Sequence, residues 1–234
     1  IDEPRSAFPY LRQCHGGERA ALAFAHSYFA SQLPQSYKQS RNGLIGINYS
    51  SKLSPWLATG ALSVRYIYQL LSRHEAQYGA NDSTYWLWFE LLWRDYFRFL
   101  HLRYGKQLYH PSALGQIPIA PFNTANFVQW QTATTANSWI DAGMRELAAT
   151  GYLSNRMRQN VASYWLHELQ GNWQAGAAWF ESMLLDYDVY SNQGNWLYLA
   201  GIGTDPRGKR WFNPQKQAEQ YDPTGEYRAL WSAP

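Results

Sequence analysis

Apolar side chains recur at helical spacing along most of this chain, and cap-forming polar residues separate the runs. Leu22, Phe24, Ala25 and Phe29 follow a helical period within residues 17–30, and Pro34 closes that segment. Residues 35–53 are polar and Gly-containing and read as a loop. Ser54-Pro55 predicts a helix start, with Ser as cap and Pro at the first helical position, ending near Gly60. Ser63 predicts the next start, with Gly79 as stop after Tyr78. Asp82 or Ser83 caps a helix over 84–104, closed by Gly105. Residues 106–125, with Pro111, Pro118 and Pro121, read as an irregular connector.

Further helices are expected over 126–131, over 139–150 before Gly151, over 155–169 after a Ser154 cap, and over 173–186 after an Asn172 cap. Shorter ones are expected over 192–199 and 214–220. Val, Ile and Thr do not alternate with polar residues over any useful length, and Asn42-Gly43 lacks the alternating flanks of a hairpin. The expected fold is all-α, one domain over residues 1–234, with about eight to ten helices.

Composition narrows the class. The 234 residues carry 20 Lys+Arg and 17 Asp+Glu, a net charge of +3. Charged residues are 16% of the chain and aromatics 17%, including 12 Trp and 18 Tyr, the reverse of a disordered composition. A single cysteine, Cys14, leaves no intrachain disulfide framework and points to a reducing, cytoplasmic compartment. No apolar stretch reaches the roughly 18 residues of a membrane span, so no membrane partner is expected. Residues 1–5 lack the basic start and apolar core of a secretory signal.

Four segments could carry chemistry. Glu90 and Arg94 lie four apart on one helical face, with Trp93 beside both, among apolar and aromatic neighbours. They are an ordinary helical ion pair or the polar wall of a pocket for a flat ligand. Ser50, Ser51, Lys52, Leu53 and Ser54 precede a helix start, where backbone N–H groups favour an anion, although serine caps are common. Asn155, Arg156, Arg158 and Gln159 open another helix, where cations oppose the helix dipole and call for an anionic partner. Asp186 and Asp188 are expected at a helix end, as acceptors for Arg158 or a ligand. No His or third carboxylate accompanies them, so no metal is expected. The six histidines are scattered, and no Gly-x-Ser-x-Gly elbow occurs.

At these segments the sequence resembles the photolyase/cryptochrome family, and within it the DASH-type cryptochromes. The runs are Leu53-Ser-Pro-Trp-Leu-Ala-Thr-Gly-Ala-Leu-Ser, Phe89-Glu-Leu-Leu-Trp-Arg-Asp-Tyr-Phe-Arg, Met144-Arg-Glu-Leu-Ala-Ala-Thr-Gly-Tyr-Leu-Ser-Asn-Arg and Asp186-Tyr-Asp-Val-Tyr-Ser-Asn-Gln-Gly-Asn-Trp. Their order and spacing agree together from about residue 15 to the end. The resemblance implies the family's helical FAD-binding domain, without its N-terminal α/β antenna domain, and therefore no antenna pigment.

By resemblance, FAD is held by Tyr37, by Ser50, Ser51, Lys52, Leu53 and Ser54, and by Glu90, Arg94, Asn155, Arg158, Asp186, Asp188, Asn192 and Trp196. Asn192 stands opposite flavin N5. Trp196 and Trp173 match the proximal and middle members of an electron-relay chain. Ala120, ten residues before Trp130, stands where the family carries the distal one. Glu90 and Trp93 also match residues facing a flipped lesion. Gln159 and Tyr198 line its pocket, and Arg156, Arg207, Lys209 and Arg210 face DNA phosphates. The implied activity is light-driven repair of cyclobutane pyrimidine dimers, in single-stranded or looped DNA where flipping costs least. A signalling flavoprotein without repair, or a stand-alone flavin protein of other redox role, are the alternatives.

Overall fold

The computed structural model describes residues 3–8, 15–116, 120–208 and 210–233. Cys14, Pro118, Lys209 and the first two residues of the N-terminal segment lie outside them, as do the expectations placed there. Among the described residues there are twelve α-helices and no strand, an all-α fold with more helices than the periodicity suggested. They gather into two compact units, residues 1–96 and 97–234.

The first unit holds α1 (Glu18–Ala30), α2 (Tyr37–Ser40), α3 (Ser54–Thr59), α4 (Val64–Tyr78) and the first part of α5 (Asp82–Tyr104). Ala21, Ala25, Tyr28 and Phe29 form the buried stripe of α1, and Ile67, Leu70, Leu71 and His74 that of α4. The two stripes meet in one core with Trp56, Leu53 and Leu87. His74 belongs to this core without strain, since Nδ1 bonds the Phe29 carbonyl at 2.7 Å and Nε2 faces the Gln35 amide at 3.1 Å.

Three expectations need correction here. Part of the presumed loop 35–53 is helical, as a 3-10 turn (Leu33–Ser36) and α2, elements too short to show a period. Ser54 does not cap α3: the helix starts at Ser54 and its side chain makes no capping bond. The cap of α5 is neither Asp82 nor Ser83 but Asn81, whose Oδ1 accepts from the Ser83 and Thr84 amides while its own amide donates to the Thr84 hydroxyl. That reciprocal arrangement satisfies more orphan groups than Asp82 could one residue later.

The second unit contains the end of α5, a 3-10 turn (Gly105–Tyr109), α6 (Thr124–Gln131), α7 (Ser138–Thr150), α8 (Asn155–His167), α9 (Trp173–Met183), α10 (Val189–Ala200), α11 (Pro214–Tyr221) and α12 (Glu226–Leu230). The 3-10 turn, α12 and the early start of α6 are additions to the sequence reading. Side chains of Asn123, Asn137, Ser154, Asn172 and Asn213 each cap the helix that follows. α7 is buried on most of its circumference, including Glu146, which accepts from the hydroxyl of the fully buried Tyr227. α8, α9 and α10 pack against one another around Trp130, Trp165 and Trp196.

The largest correction concerns residues 173–200. α9 ends at Met183, so Asp186 and Asp188 do not close it. Asp188 is instead the N-cap of α10, its Oδ1 accepting from the Ser191 amide at 2.9 Å, and α10 begins before Asn192. A carboxylate there is favoured by the dipole rather than opposed. α8 likewise stops at His167, before residue 169.

Gly176 on α9 shows how tight this packing is. A Cβ there would sit 2.3 Å from the Trp196 ring and 2.8 Å from Trp165. Helix propensity alone favours Gly→Ala by about 1 kcal/mol. Overpacking of a rigid core costs about 1–3 kcal/mol, and the ring faces are buried on every side. Gly176→Ala should therefore lower the thermal unfolding midpoint; a raised midpoint in differential scanning calorimetry would show that the core can yield there.

Candidate functional site

In the first unit the polar residues cluster on the loop between α2 and α3 and on α5. Tyr37 is buried. Burial, reinforced by the nearby Glu90 and opposed by Arg41, keeps this phenol protonated well above its ordinary range. Ser50 and Lys52 have left-handed φ of 58° and 55°, which non-glycine residues rarely adopt. Lys52 is followed by Leu53 in the right-handed region, and left-to-right turns of this kind are where backbone N–H groups can form an anion-binding nest. The Ser51 and Ser54 side chains are half-buried and have no hydrogen-bond partner among the described residues. Leu53 anchors the loop in the core. Lys52 is only 2% exposed, with Nζ 3.1 Å from the Tyr49 ring centroid.

On α5, Glu90 accepts a hydrogen bond from Arg41, a residue in the segment read as loop and missed for that reason. Arg41 also lies 4.5 Å over the Trp86 ring. Burial raises the Glu90 carboxyl above the ordinary glutamate range, and Arg41 offsets part of that rise. Arg94 donates to the Leu57 carbonyl at 3.1 Å. Trp93 is set edge-on between Phe89 and Tyr96, at 6.1 and 5.5 Å. The aromatic ladder along α5 is the physical form of the apolar flanks seen in the sequence.

In the second unit, Arg158 reaches from α8 to the turn between α9 and α10. Its Nη2 donates to both oxygens of Asp186, at 2.9 and 2.8 Å, while Nε donates to the Leu153 carbonyl at 2.9 Å. The Asp186 side chain is 1% exposed, and Arg158 neutralises its charge. Asn155, at the first position of α8, is exposed, and its amide has no partner among the described residues. Asn192 donates its amide nitrogen to the Ala177 carbonyl at 3.0 Å. Its oxygen has no partner among the described residues and is therefore the atom on offer.

The remaining expected residues occupy other faces of this unit. Arg156 bonds Gln159 at 3.0 Å and lies 4.5 Å over the Tyr221 ring. Tyr198 is buried, packed on Phe97, with its hydroxyl 3.2 Å from Thr204. Arg207 and Arg210 both bond Asp205. Burial works against ionisation of Asp205, but these hydrogen bonds outweigh it and hold its carboxyl down to about 2. Trp196 packs on Phe180, and Trp173 donates its indole N–H to the Pro111 carbonyl. No group of metal-ligating side chains and no helix long and apolar enough to cross a membrane occurs among the described residues.

The first unit by itself offers serine hydroxyls on a turned loop, and the second by itself offers an amide at a helix start and a fixed amide oxygen. A dinucleotide presents phosphates, hydroxyls and ring N–H groups that need such partners.

Comparison with known proteins agrees. The profile described as the FAD binding domain of DNA photolyase matches residues 86–233, more than half of the chain. Cryptochrome DASH of Danio rerio is 49% identical over 99% of this chain and 44% of the relative. That of Gloeobacter violaceus is 52% identical over 99% of this chain and 47% of its own length. The chain thus spans about half the length of the curated relatives it matches. The crystal structure of a Synechocystis cryptochrome superposes with a TM-score of 0.92 at 48% identity, covering 98% of this chain and 47% of that one. A class III photolyase from Agrobacterium tumefaciens matches with a TM-score of 0.81 at 28% identity, over 92% of this chain and 44% of its own. With this helical fold and these residues, the chain belongs to the photolyase/cryptochrome family, is like its DASH-type cryptochromes, and is an FAD-binding flavoprotein domain.

Proposed function

We propose that residues 1–234 act as one helical FAD-binding domain of a blue-light-dependent enzyme that repairs cyclobutane pyrimidine dimers. When bound, reduced FAD supplies the light-driven electron that opens the dimer's ring and takes it back. The observation that carries this reading is Asn192. Its nitrogen is committed to Ala177, which leaves its oxygen as an acceptor for a protonated flavin N5. A neutral acceptor there allows the negative charge of the fully reduced ring to persist, where a carboxylate would repel it.

The other residues take supporting roles. Ser50, Ser51, Lys52 and Ser54 hold phosphate and ribityl oxygens, with Tyr37 and Leu53 fixing the loop that carries them. Asn155, Arg158, Asp186 and Asp188 hold flavin and adenine edges on the second unit, and Arg94 does so on α5. Trp93 offers a flat face to a flipped lesion. Glu90, whose carboxyl is pushed toward the protonated form, bonds the lesion's polar edge. Gln159 and Tyr198 border the lesion, and Arg156 contacts a phosphate. Single-stranded or looped DNA is the favoured substrate, because no base stack has to be opened. The setting is reducing and cytoplasmic on this reading.

A second reading, a blue-light signalling flavoprotein without repair, draws on Asp205. It engages Arg207 and Arg210 together, which reduces the positive charge that loop can offer DNA.

Two measurements test these assignments. Asp186→Ala leaves Arg158 without its buried carboxylate, and FAD retention on gel filtration should fall at least tenfold while helical circular dichroism persists. Full retention would remove Asp186 from the site. Illumination of the FAD-loaded protein with a reductant and ultraviolet-damaged oligonucleotides should consume dimers, faster in single-stranded than in double-stranded DNA. No loss in either form would sink the repair reading and favour signalling.

A further inference from the structure

The segment that carries Tyr37 and Arg41 is braced through a buried histidine. His74, on α4, is 2% exposed. Its Nδ1 lies 2.7 Å from the Phe29 carbonyl and its Nε2 lies 3.1 Å from Gln35 Nε2. Gln35 Nε2 also donates to the Gly79 carbonyl at 3.0 Å. The Gln35 side-chain oxygen accepts from Asn81 Nδ2, which donates to the Gln35 backbone carbonyl as well.

The direction of these bonds is fixed from both ends. A backbone carbonyl only accepts, so His74 Nδ1 carries the proton facing Phe29, and Gln35 Nε2 donates to Gly79. His74 Nε2 is then the acceptor for the second amide hydrogen of Gln35. Only the neutral imidazole with its proton on Nδ1 satisfies the set. A proton on Nε2 would face an amide donor. Turning the Gln35 amide over would set its oxygen against the Gly79 carbonyl and its nitrogen against Asn81 Nδ2. Two bonds would be lost to save one.

The groups around the ring give a positive charge little compensation. The Tyr78 ring on α4 is at 4.7 Å, the Phe29 ring on α1 at 6.4 Å, and Gln35 in the 3-10 turn is neutral. The Tyr78 hydroxyl accepts from Gln77. Arg73 and Glu75 flank His74 in sequence, and neither bonds it. The ion pair of this junction, Lys38 with Asp82, is exposed and uses both of its charges.

The same bonds reach the candidate site. Asn81 caps α5 through the Ser83 and Thr84 amides. The buried Ser83 hydroxyl accepts from the Lys38 amide at 3.0 Å and donates to the Gln39 side chain at 2.9 Å. This pins α2 to the start of α5. Tyr37 begins α2, and Arg41, the partner of Glu90, follows its last residue.

We propose that His74 is a proton-sensitive positioning residue for the first unit's part of the flavin site. Its neutral imidazole locks Gln35 and, through Asn81 and Ser83, the segment bearing Tyr37 and Arg41. The inference rests on the FAD reading above. Because the fold uses the neutral ring, the brace is intact at neutral and alkaline pH. It is lost as pH falls through the range in which histidine takes up its second proton.

The test follows amide hydrogen exchange of the full chain, without added FAD, at about pH 8 and about pH 5.5, with rates corrected for the intrinsic effect of pH. Peptides over residues 33–41 should lose protection by at least about fivefold relative to peptides over α7. FAD retention on gel filtration should fall over the same range. His74→Gln keeps an oxygen for Gln35 and an N–H for Phe29 but takes up no proton. It should match the parent at the higher pH and show no loss at the lower. An equally steep loss in His74→Gln, or unchanged protection of 33–41 in the parent, would overturn the proposal. Long-range proton–nitrogen spectra of the parent imidazole need no variant to fold. They should show the neutral ring protonated on Nδ1 at the higher pH, and a proton on Nε2 there would equally overturn it. A chain that behaves in this way yet takes up no FAD at either pH would instead overturn the flavin reading beneath it.

Discussion

The Arg158–Asp186 pair is the constraint on which the second unit's polar architecture depends. A carboxylate 1% exposed is tolerable only when its charge is met and its lone pairs are used. Arg158 does both with one planar group, and its third bond to the Leu153 carbonyl fixes the guanidinium at the start of α8. The turn between α9 and α10 is thereby held to α8. Two residues on, Asp188 caps α10, and one turn later Asn192 is tied to α9 through Ala177. The ion pair, the cap and the amide bond set the orientation of the groups assigned to the flavin, each through a short, directional bond.

Around these few polar bonds the chain uses aromatic rings as filler and scaffold. Low charge content and abundant Trp are two sides of one arrangement, in which large rings bury much surface and indole N–H groups are matched to backbone carbonyls. Trp130 on Val161, Trp165 on Asn172 and Trp173 on Pro111 all follow this pattern. Glycine completes it where a ring lies flat against a helix. Gly176 admits Trp196, and Gly194 admits Phe97, whose ring would lie 2.1 Å from a Cβ at that position.

Much of this was legible in the sequence, and the failures have physical causes. Ser154 and Asn172 could be read as caps because each stands before a clear apolar period and bonds the backbone three residues on. Asp188 reads as part of a helix end because the periodicity runs on through Leu184 and Leu185, which lie in the turn between α9 and α10. Arg41 escaped notice because α2 has four residues and no period to detect. The Glu90 and Arg94 positions were visible as a helical pair. The link from Glu90 to Arg41 spans 49 residues and depends on tertiary contact alone. The aromatic excess was plain from the start, whereas the ring-to-ring order of Trp196, Trp130 and Trp165 exists only in three dimensions.

The central claim is that this helical chain, as it stands, binds a flavin dinucleotide at a defined set of residues. Titration of the purified chain with FAD, followed by isothermal calorimetry and by the structured absorption of bound oxidised flavin, tests it most directly. The account predicts saturation at one FAD per chain, with riboflavin binding far more weakly because it lacks the phosphates and adenine. Saturation with riboflavin as tight as with FAD, or no uptake of either, would contradict it.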